Sequence, residues 1–208
     1  GEMSATRFSL IENAANQGFS KACNQGLHDW QGDFALLLNP DCLIGPDIIP
    51  GMLEAMSVAP QYGMAGCLIR NPDGSEQIGC RRLTPTPERV LAQMFGRIRV
   101  NLAGLSLPET PVEVEAISGA FMLVRRAAWE AVGLLDEGYF MHWEDLDWCY
   151  RFRQAGWPIL FVPGLSITHV KGVCSQRAPI RVEWHKHIGM VRYYEKFFRS
   201  RSSIAVRW

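Results

Sequence analysis

Five apolar residues in a row, Phe34–Leu38, run straight into Asn39-Pro40-Asp41. A strand that is apolar at every position, rather than at alternate ones, is covered on both faces and belongs to a sheet sandwiched between helices. Proline stops that strand and aims Asp41 outward from its carboxyl end, the edge at which open α/β sheets bind ligands. The segments around it alternate. Arg7–Ile11 reads as a short strand and Ser20–Asp29 as a helix with Ser20 as N-cap. Strand, helix and strand at this spacing predict a βαβ unit with a parallel pair. Asp47–Met56 reads as the next helix, Gly63–Ile69 as a strand, and Asn71-Pro72-Asp73-Gly74 as a turn.

Beyond a proline-rich break at Thr84–Pro87, Glu88–Ile98 has helical composition, and Val112–Ile117 and Phe121–Val124 read as strands flanking Ser118-Gly119-Ala120. Arg126–Val132 is a short helix ended by Gly133, and Trp143–Ala155 a longer one stopped by Gly156 and Pro158. Leu160–Val162 and Ser166–Thr168 are short strands, and Val182–Phe198 is a final amphipathic helix. Alternating elements of this kind give an α/β fold, and the 208 residues fit one domain, 1–208.

Charge and cysteine usage narrow the function. Lys+Arg and Asp+Glu both number 21, which argues against nucleic acid as a partner, because such binding needs a net basic surface to displace phosphate counterions. No apolar run approaches the ~18 residues of a membrane span, and no secretory signal is visible. The six cysteines are scattered without a C-x-x-C pair, so they are expected as reduced, mostly buried thiols of a cytoplasmic protein.

Four places carry candidate chemistry. Asp41 can hold Mg²⁺ or Mn²⁺ with diphosphate oxygens completing the shell; Asn39 and Asp41 would serve equally as a simple turn. Glu144, Asp145 and Asp147 open a helix among Tyr139, Phe140, His142, Trp143 and Trp148. Carboxylates beside aromatic rings suit a sugar, but acids in a first turn also complement the helix dipole, and Asp147 and Arg151 are spaced for an ion pair. His169 follows a strand and could offer a neutral ring nitrogen to a metal or be a structural histidine. Asn16-Gln17-Gly18-Phe19 precedes a helix, where Gly18 would permit close approach of backbone to ligand. His185 and His187 read as surface residues.

In this order, these segments resemble family 2 glycosyltransferases, especially the bacterial rhamnosyltransferase-like branch. The matching pieces are Asn16-Gln17-Gly18-Phe19 with Asn24-Gln25-Gly26, Gly32-Asp33-Phe34 through Asp41, Ser118 to Arg126, Leu135 to Phe140, Trp143 to Asp147, Arg151, Ala155-Gly156-Trp157 and His169. The resemblance implies a GT-A fold with a mixed central sheet and an inverting transfer of a sugar, rhamnose by the branch, from a UDP- or dTDP-sugar to an acceptor hydroxyl. It makes Asp145 the base with Glu144 beside it, Asp41 and His169 the ligands of a divalent metal, and Asn39 the replacement for a first metal-motif Asp. Asn16, Gly18, Asn39, Gly119, Ala120 and Arg151 fall on the donor side, Trp143 and Tyr139 on the acceptor side.

The acceptor implied is a glycan or lipid-linked glycan, which places the protein in the cytoplasm or peripherally at the inner membrane face. The basic and aromatic Lys186–Arg207 segment suits either an interfacial helix or one packed on the core. The family's first two strands, which hold the nucleotide base, are not recognisable before Arg7. The fold is therefore expected to be N-terminally incomplete, to bind nucleotide weakly alone, and to leave an open edge that invites a second copy. A non-catalytic carbohydrate- or nucleotide-binding fragment, or a sugar-nucleotide nucleotidyltransferase, are the alternatives.

Overall fold

The computed structural model describes residues 9–170 and 179–199. The first half runs α1 (Phe19–His28), β1 (Phe34–Leu38), β2 (Cys42–Leu43), α2 (Ile48–Ser57), β3 (Met64–Arg70), β4 (Arg81–Arg82) and α3 (Pro87–Met94). The second runs β5 (Val112–Val114), β6 (Ala116–Ile117), β7 (Phe121–Arg125), α4 (Arg126–Val132), α5 (Glu144–Gln154), β8 (Ile159–His169) and α6 (Pro179–Phe198). The main sheet has the order β1-β7-β3-β8-β2, with β5 also on β8, while β4 and β6 form a separate pair. β3 and β8 are parallel, and β7 is antiparallel to both β1 and β3. β1, β3 and β8 therefore point the same way and end on one edge of a mixed sheet. That edge carries Asp41 and His169.

Both faces of the sheet are covered, as the apolar runs require. Ala35 and Leu37 of β1 join Met122 and Val124 of β7 in a core with Leu27, Trp129, Trp148, Phe152 and Tyr193 from α1, α4, α5 and α6. Phe34 and Leu36 turn the other way, toward Phe121, Leu123 and the α2 residues Ile48, Met52 and Met56. Burial of each such large side chain contributes about 2 kcal/mol relative to leaving it in water. β3 is buried at six successive positions, as befits a central strand, whereas β1 alternates.

Several expectations need correction. Residues 9–11 form no strand, with Leu10 and Ile11 exposed; Arg7 lies outside the described residues, as do Cys174 and residues 200–207. The partner of β1 is β7, antiparallel, so the expected parallel βαβ pair is absent among the described residues. α1 is entered through Gly18 at φ 83, a conformation side chains resist, and Ser20 is buried inside the helix instead of capping it. The two short strands near the end are one, β8, whose register against β3 jumps from Val162 to Ser166. Pro163 cannot donate to the ladder, so residues 163–165 bulge out and pairing resumes beyond them. Val112–Ile117 divides between β5 on the main sheet and β6 on the small one. The turn at Asn71 closes as its chemistry demands, with Gly74 N–H donating to the Asn71 carbonyl at 2.9 Å and Gly74 at φ 84.

Candidate active site

β1 ends where the Asn39 N–H donates to the Ala120 carbonyl at 3.0 Å. The chain then turns over the sheet edge, and β2 pairs with the end of β8, placing Cys42 directly opposite His169. Asp41 Oδ1 lies 3.0 Å from His169 Nε2. The Cys42 Sγ completes a group whose ligand atoms all fall within 4.8 Å of one another. Gln77, buried beneath, organises the histidine. Its amide nitrogen donates to Asn71 Oδ1 at 2.9 Å and to the His169 carbonyl at 3.2 Å, so its oxygen faces His169 Nδ1 at 2.7 Å. That network assigns the ring proton to Nδ1 and leaves the Nε2 lone pair facing the Asp41 carboxylate. A positive charge between these two atoms 3.0 Å apart satisfies both, whether a second ring proton or a cation, and the donor set fits a divalent ion. Burial, then the Asp41 charge, pushes the Cys42 thiol up to about 11, so it is the weakest ligand of the group.

The second corner is the start of α5. His142 and Trp143 adopt successive left-handed conformations, φ 65 and 73, which cost roughly 1–3 kcal/mol each outside glycine. α6 holds them there. Trp143 packs on Tyr193 and Tyr194, ring centroids 5.3 and 6.0 Å away, and Gly189 lets the helix approach Trp143 and the His142 carbonyl. Asp145 follows in the first helical turn. Its Oδ2 accepts from Arg82 Nη2 at 2.5 Å and from the Gly119 N–H at 3.2 Å, and its Oδ1 accepts from the Leu146 N–H at 2.7 Å. A carboxylate has about four lone-pair sites, so Oδ1 keeps one free for a substrate proton. Arg82 also donates to the Ile117 carbonyl at 2.7 Å. Burial works against the Arg82 charge, but Asp145 beside it prevails and holds the guanidinium above its ordinary range.

Glu144 differs from its neighbour. It is 7% exposed, its Oε2 has no hydrogen-bond partner, and burial, then the Asp145 charge, pushes its carboxyl up to about 8. The folded protein thus keeps this proton where the unfolded chain, titrating near 4.5, has lost it. Since the folded state then binds more protons, stability falls as pH rises from the unfolded value to the folded one. Glu144→Gln removes that slope. The variant should gain on the order of 4 kcal/mol over wild type near pH 9 and little near pH 5, read from thermal unfolding at both. Equal pH slopes in the two proteins would place the Glu144 carboxyl in water.

The two corners meet through adjacent residues. The Gly119 N–H bonds Asp145, while the Ala120 carbonyl receives the Asn39 N–H and the Cys42 thiol. Asn39, Asp41, Gly119, Ala120, Glu144, Asp145 and His169 therefore gather on one edge of the sheet.

Other residues picked from the sequence fall elsewhere. Tyr139 is 2% exposed, under Arg192 and Lys196, so it cannot line an acceptor site. Arg151 is committed to Asp147 at 2.6 Å and to the carbonyls of Val132, Gly133 and Leu134, so its donors serve α4 and α5 rather than a donor sugar. Against Gly18 sits Phe140, whose carbonyl would lie 2.6 Å from an added Cβ, so the close approach it permits is to protein. Asn16 accepts from the Gly18 N–H at 2.9 Å and shapes that same turn. Trp143 is half-buried against α6. His185 is no free surface residue; it stacks on Phe140 at 4.4 Å. Sequence reasoning misses Gln77 and Arg82. Gln77 carries no local signal, and Arg81-Arg82 looks like surface charge until the fold buries it.

A family model described as glycosyltransferase-like family 2 matches residues 1–180. The N-acetylglucosaminyl-diphospho-decaprenol L-rhamnosyltransferase of Mycobacterium tuberculosis is 34% identical over 188 residues, covering 82% of this chain and 61% of that protein. Rhamnosyltransferase WbbL of Escherichia coli is 28% identical over 138 residues, 66% of this chain and 52% of the relative. The chain thus spans about three-fifths or less of these relatives. Among solved structures, mannosyltransferase PcManGT from Pyrobaculum calidifontis, in complex with GDP-Man and Mn²⁺, superposes with a TM-score of 0.59 at 14% identity, over 95% of this chain and 48% of that one.

Proposed function

This chain belongs to glycosyltransferase family 2 and has the GT-A fold, and on that premise we propose that it carries the metal-binding and proton-accepting part of a rhamnosyltransferase. The observation that carries the reading is the Gly119-Ala120 link, which ties a cation-ready pair, Asp41 and His169, to a carboxylate with a free lone pair, Asp145. The donor is a nucleoside-diphosphate sugar, dTDP-rhamnose first among candidates, and the acceptor a hydroxyl of a lipid-linked glycan, in cell-wall or surface polysaccharide synthesis. An acceptor of that kind puts the reaction at the inner face of the membrane.

In the reaction, the acceptor oxygen bonds to the anomeric carbon as the bond from that carbon to the diphosphate breaks on the opposite face, inverting the centre. Asp145 Oδ1 takes the hydroxyl proton. Arg82 and the Gly119 N–H fix the carboxylate through Oδ2. Glu144, held protonated, serves as a neutral neighbour and not as the base. Asp41 and His169, with Cys42 at the margin, would hold Mg²⁺ or Mn²⁺, whose charge offsets that building on the departing diphosphate. Asn39, in place of a second carboxylate, lowers the negative charge around that ion.

The test is transfer from dTDP-rhamnose to a polyprenyl-diphosphate N-acetylglucosamine by the protein carrying this chain, with and without Mn²⁺. Metal-dependent product supports the reading. Binding of nucleotide sugar without any transfer or donor hydrolysis would replace the enzyme with a binding module. The role of Gln77 is checked separately: Gln77→Leu should weaken Mn²⁺ binding by about 10- to 100-fold, as loss of outer-shell partners does, with the fold intact. Unchanged affinity by calorimetry would remove Gln77 from the metal corner.

A further inference from the structure

α6 has two working faces. Val182, Gly189, Tyr193 and Phe198 are buried against the domain. On the other side Ile180, Trp184, Ile188 and Val191 are 86, 65, 45 and 53% exposed. Their spacing puts them on one stripe along the helix. An apolar stripe of four large side chains, centred on a tryptophan, has no protein partner among the described residues.

Charge says what covers it. From Pro179 to Trp208 there are seven Lys or Arg residues and two Glu. The chain as a whole is neutral, so the residues before Pro179 carry the compensating acid and the basic charge is concentrated in this last segment. Arg181 and Arg192 flank the stripe on one side, both already oriented: Arg181 over the Phe140 ring and Arg192 on Asp136. We infer that the outer face of α6 docks on an anionic lipid surface, with Ile180, Trp184, Ile188 and Val191 in the headgroup–acyl boundary, Arg181 toward the phosphates and the net positive charge of the segment drawing it there.

A second copy of the chain fits less well. Four side chains of one helix fall short of the ~800 Å² per partner of a stable interface. A two-fold contact would also bring two basic segments face to face.

The opposite face of α6 bears on the site. It carries His185, stacked on Phe140, and Tyr193 and Tyr194, which hold Trp143 just ahead of Glu144 and Asp145. A helix lying flat on the bilayer holds this corner close to the headgroups, where the sugar of a lipid-linked acceptor resides. That consequence rests on the acceptor reading above; the docking itself does not.

Flotation of the full chain with vesicles of phosphatidylcholine, with and without phosphatidylglycerol, tests the inference. Binding is expected only with phosphatidylglycerol, to weaken with added salt, and to fall by about tenfold or more in the exposed-face pair Trp184→Ser with Ile188→Ser. Thermal unfolding and Mn²⁺ affinity of that variant should match wild type, so a loss of docking is separable from a failure of the metal corner. Wild-type protein left unbound by anionic vesicles, equal binding to both vesicle types, or equal binding by the variant would each overturn the inference. So would light scattering that shows a wild-type dimer dissolved by the same substitutions.

Discussion

Asp145→Asn is expected to lower turnover by about 10²- to 10⁴-fold, the range of a lost general base, while nucleotide-sugar binding changes little. The amide oxygen can still accept from Arg82 and from the Gly119 N–H, so those two anchors of the corner remain, and only the Leu146 N–H loses its acceptor. What disappears is the basic lone pair on Oδ1. Because Glu144 next to it holds its own proton until about pH 8, it is poorly suited to take over near neutrality. Steady-state kinetics of Asp145→Asn and Glu144→Gln side by side decide the matter. Near-normal turnover in the first with lost turnover in the second would move the base to Glu144.

Asp41→Ala should weaken Mn²⁺ binding by more than the ~10- to 100-fold expected for an outer-shell partner such as Gln77, because it removes a direct ligand. His169→Ala should follow it, since the two side chains face one another at 3.0 Å. Calorimetry or Mn²⁺ electron paramagnetic resonance reads the affinity without any need for turnover. Wild-type affinity in Asp41→Ala would show that the ion, if bound, sits elsewhere.

Elements with strong local patterns are legible in the amino-acid sequence. Phe34–Leu38 and Arg126–Val132 match β1 and α4 residue for residue, because an uninterrupted apolar run and a glycine stop are local facts. Pairing is not legible in the same way. Nothing in Phe34–Leu38 says whether its neighbour is parallel, and β7, its actual partner, arrives far along the chain. β8 reads as two strands because Pro163 and Gly164 look like an ending, yet β3 beside it carries the pairing past the bulge.

At the site, Asp41, Asp145 and His169 stand out as polar residues at element ends. Gly18, Tyr139 and Arg151 stand out beside them, and the fold uses these three for packing and helix anchoring. A close-approach glycine or a buried ring looks the same in sequence whether it meets a ligand or a protein neighbour. Gln77 and Arg82 give no signal because their meaning lies wholly in long-range partners, His169 and Asp145.

Among the described residues β2 joins the sheet through two residue pairs, Cys42 with His169 and Leu43 with Thr168. It is a thin seam at the sheet's margin beside the long β3–β8 ladder, and thin seams are where a native protein opens first. Asp41 and His169 stand on opposite sides of it, and the Val170 N–H also reaches across to the Asp41 carbonyl at 2.9 Å. Anything that grips both side chains closes the seam as it binds, so ligand binding and local order rise together. The polypeptide there resembles a clasp, weakly shut by its own backbone and locked by what it holds.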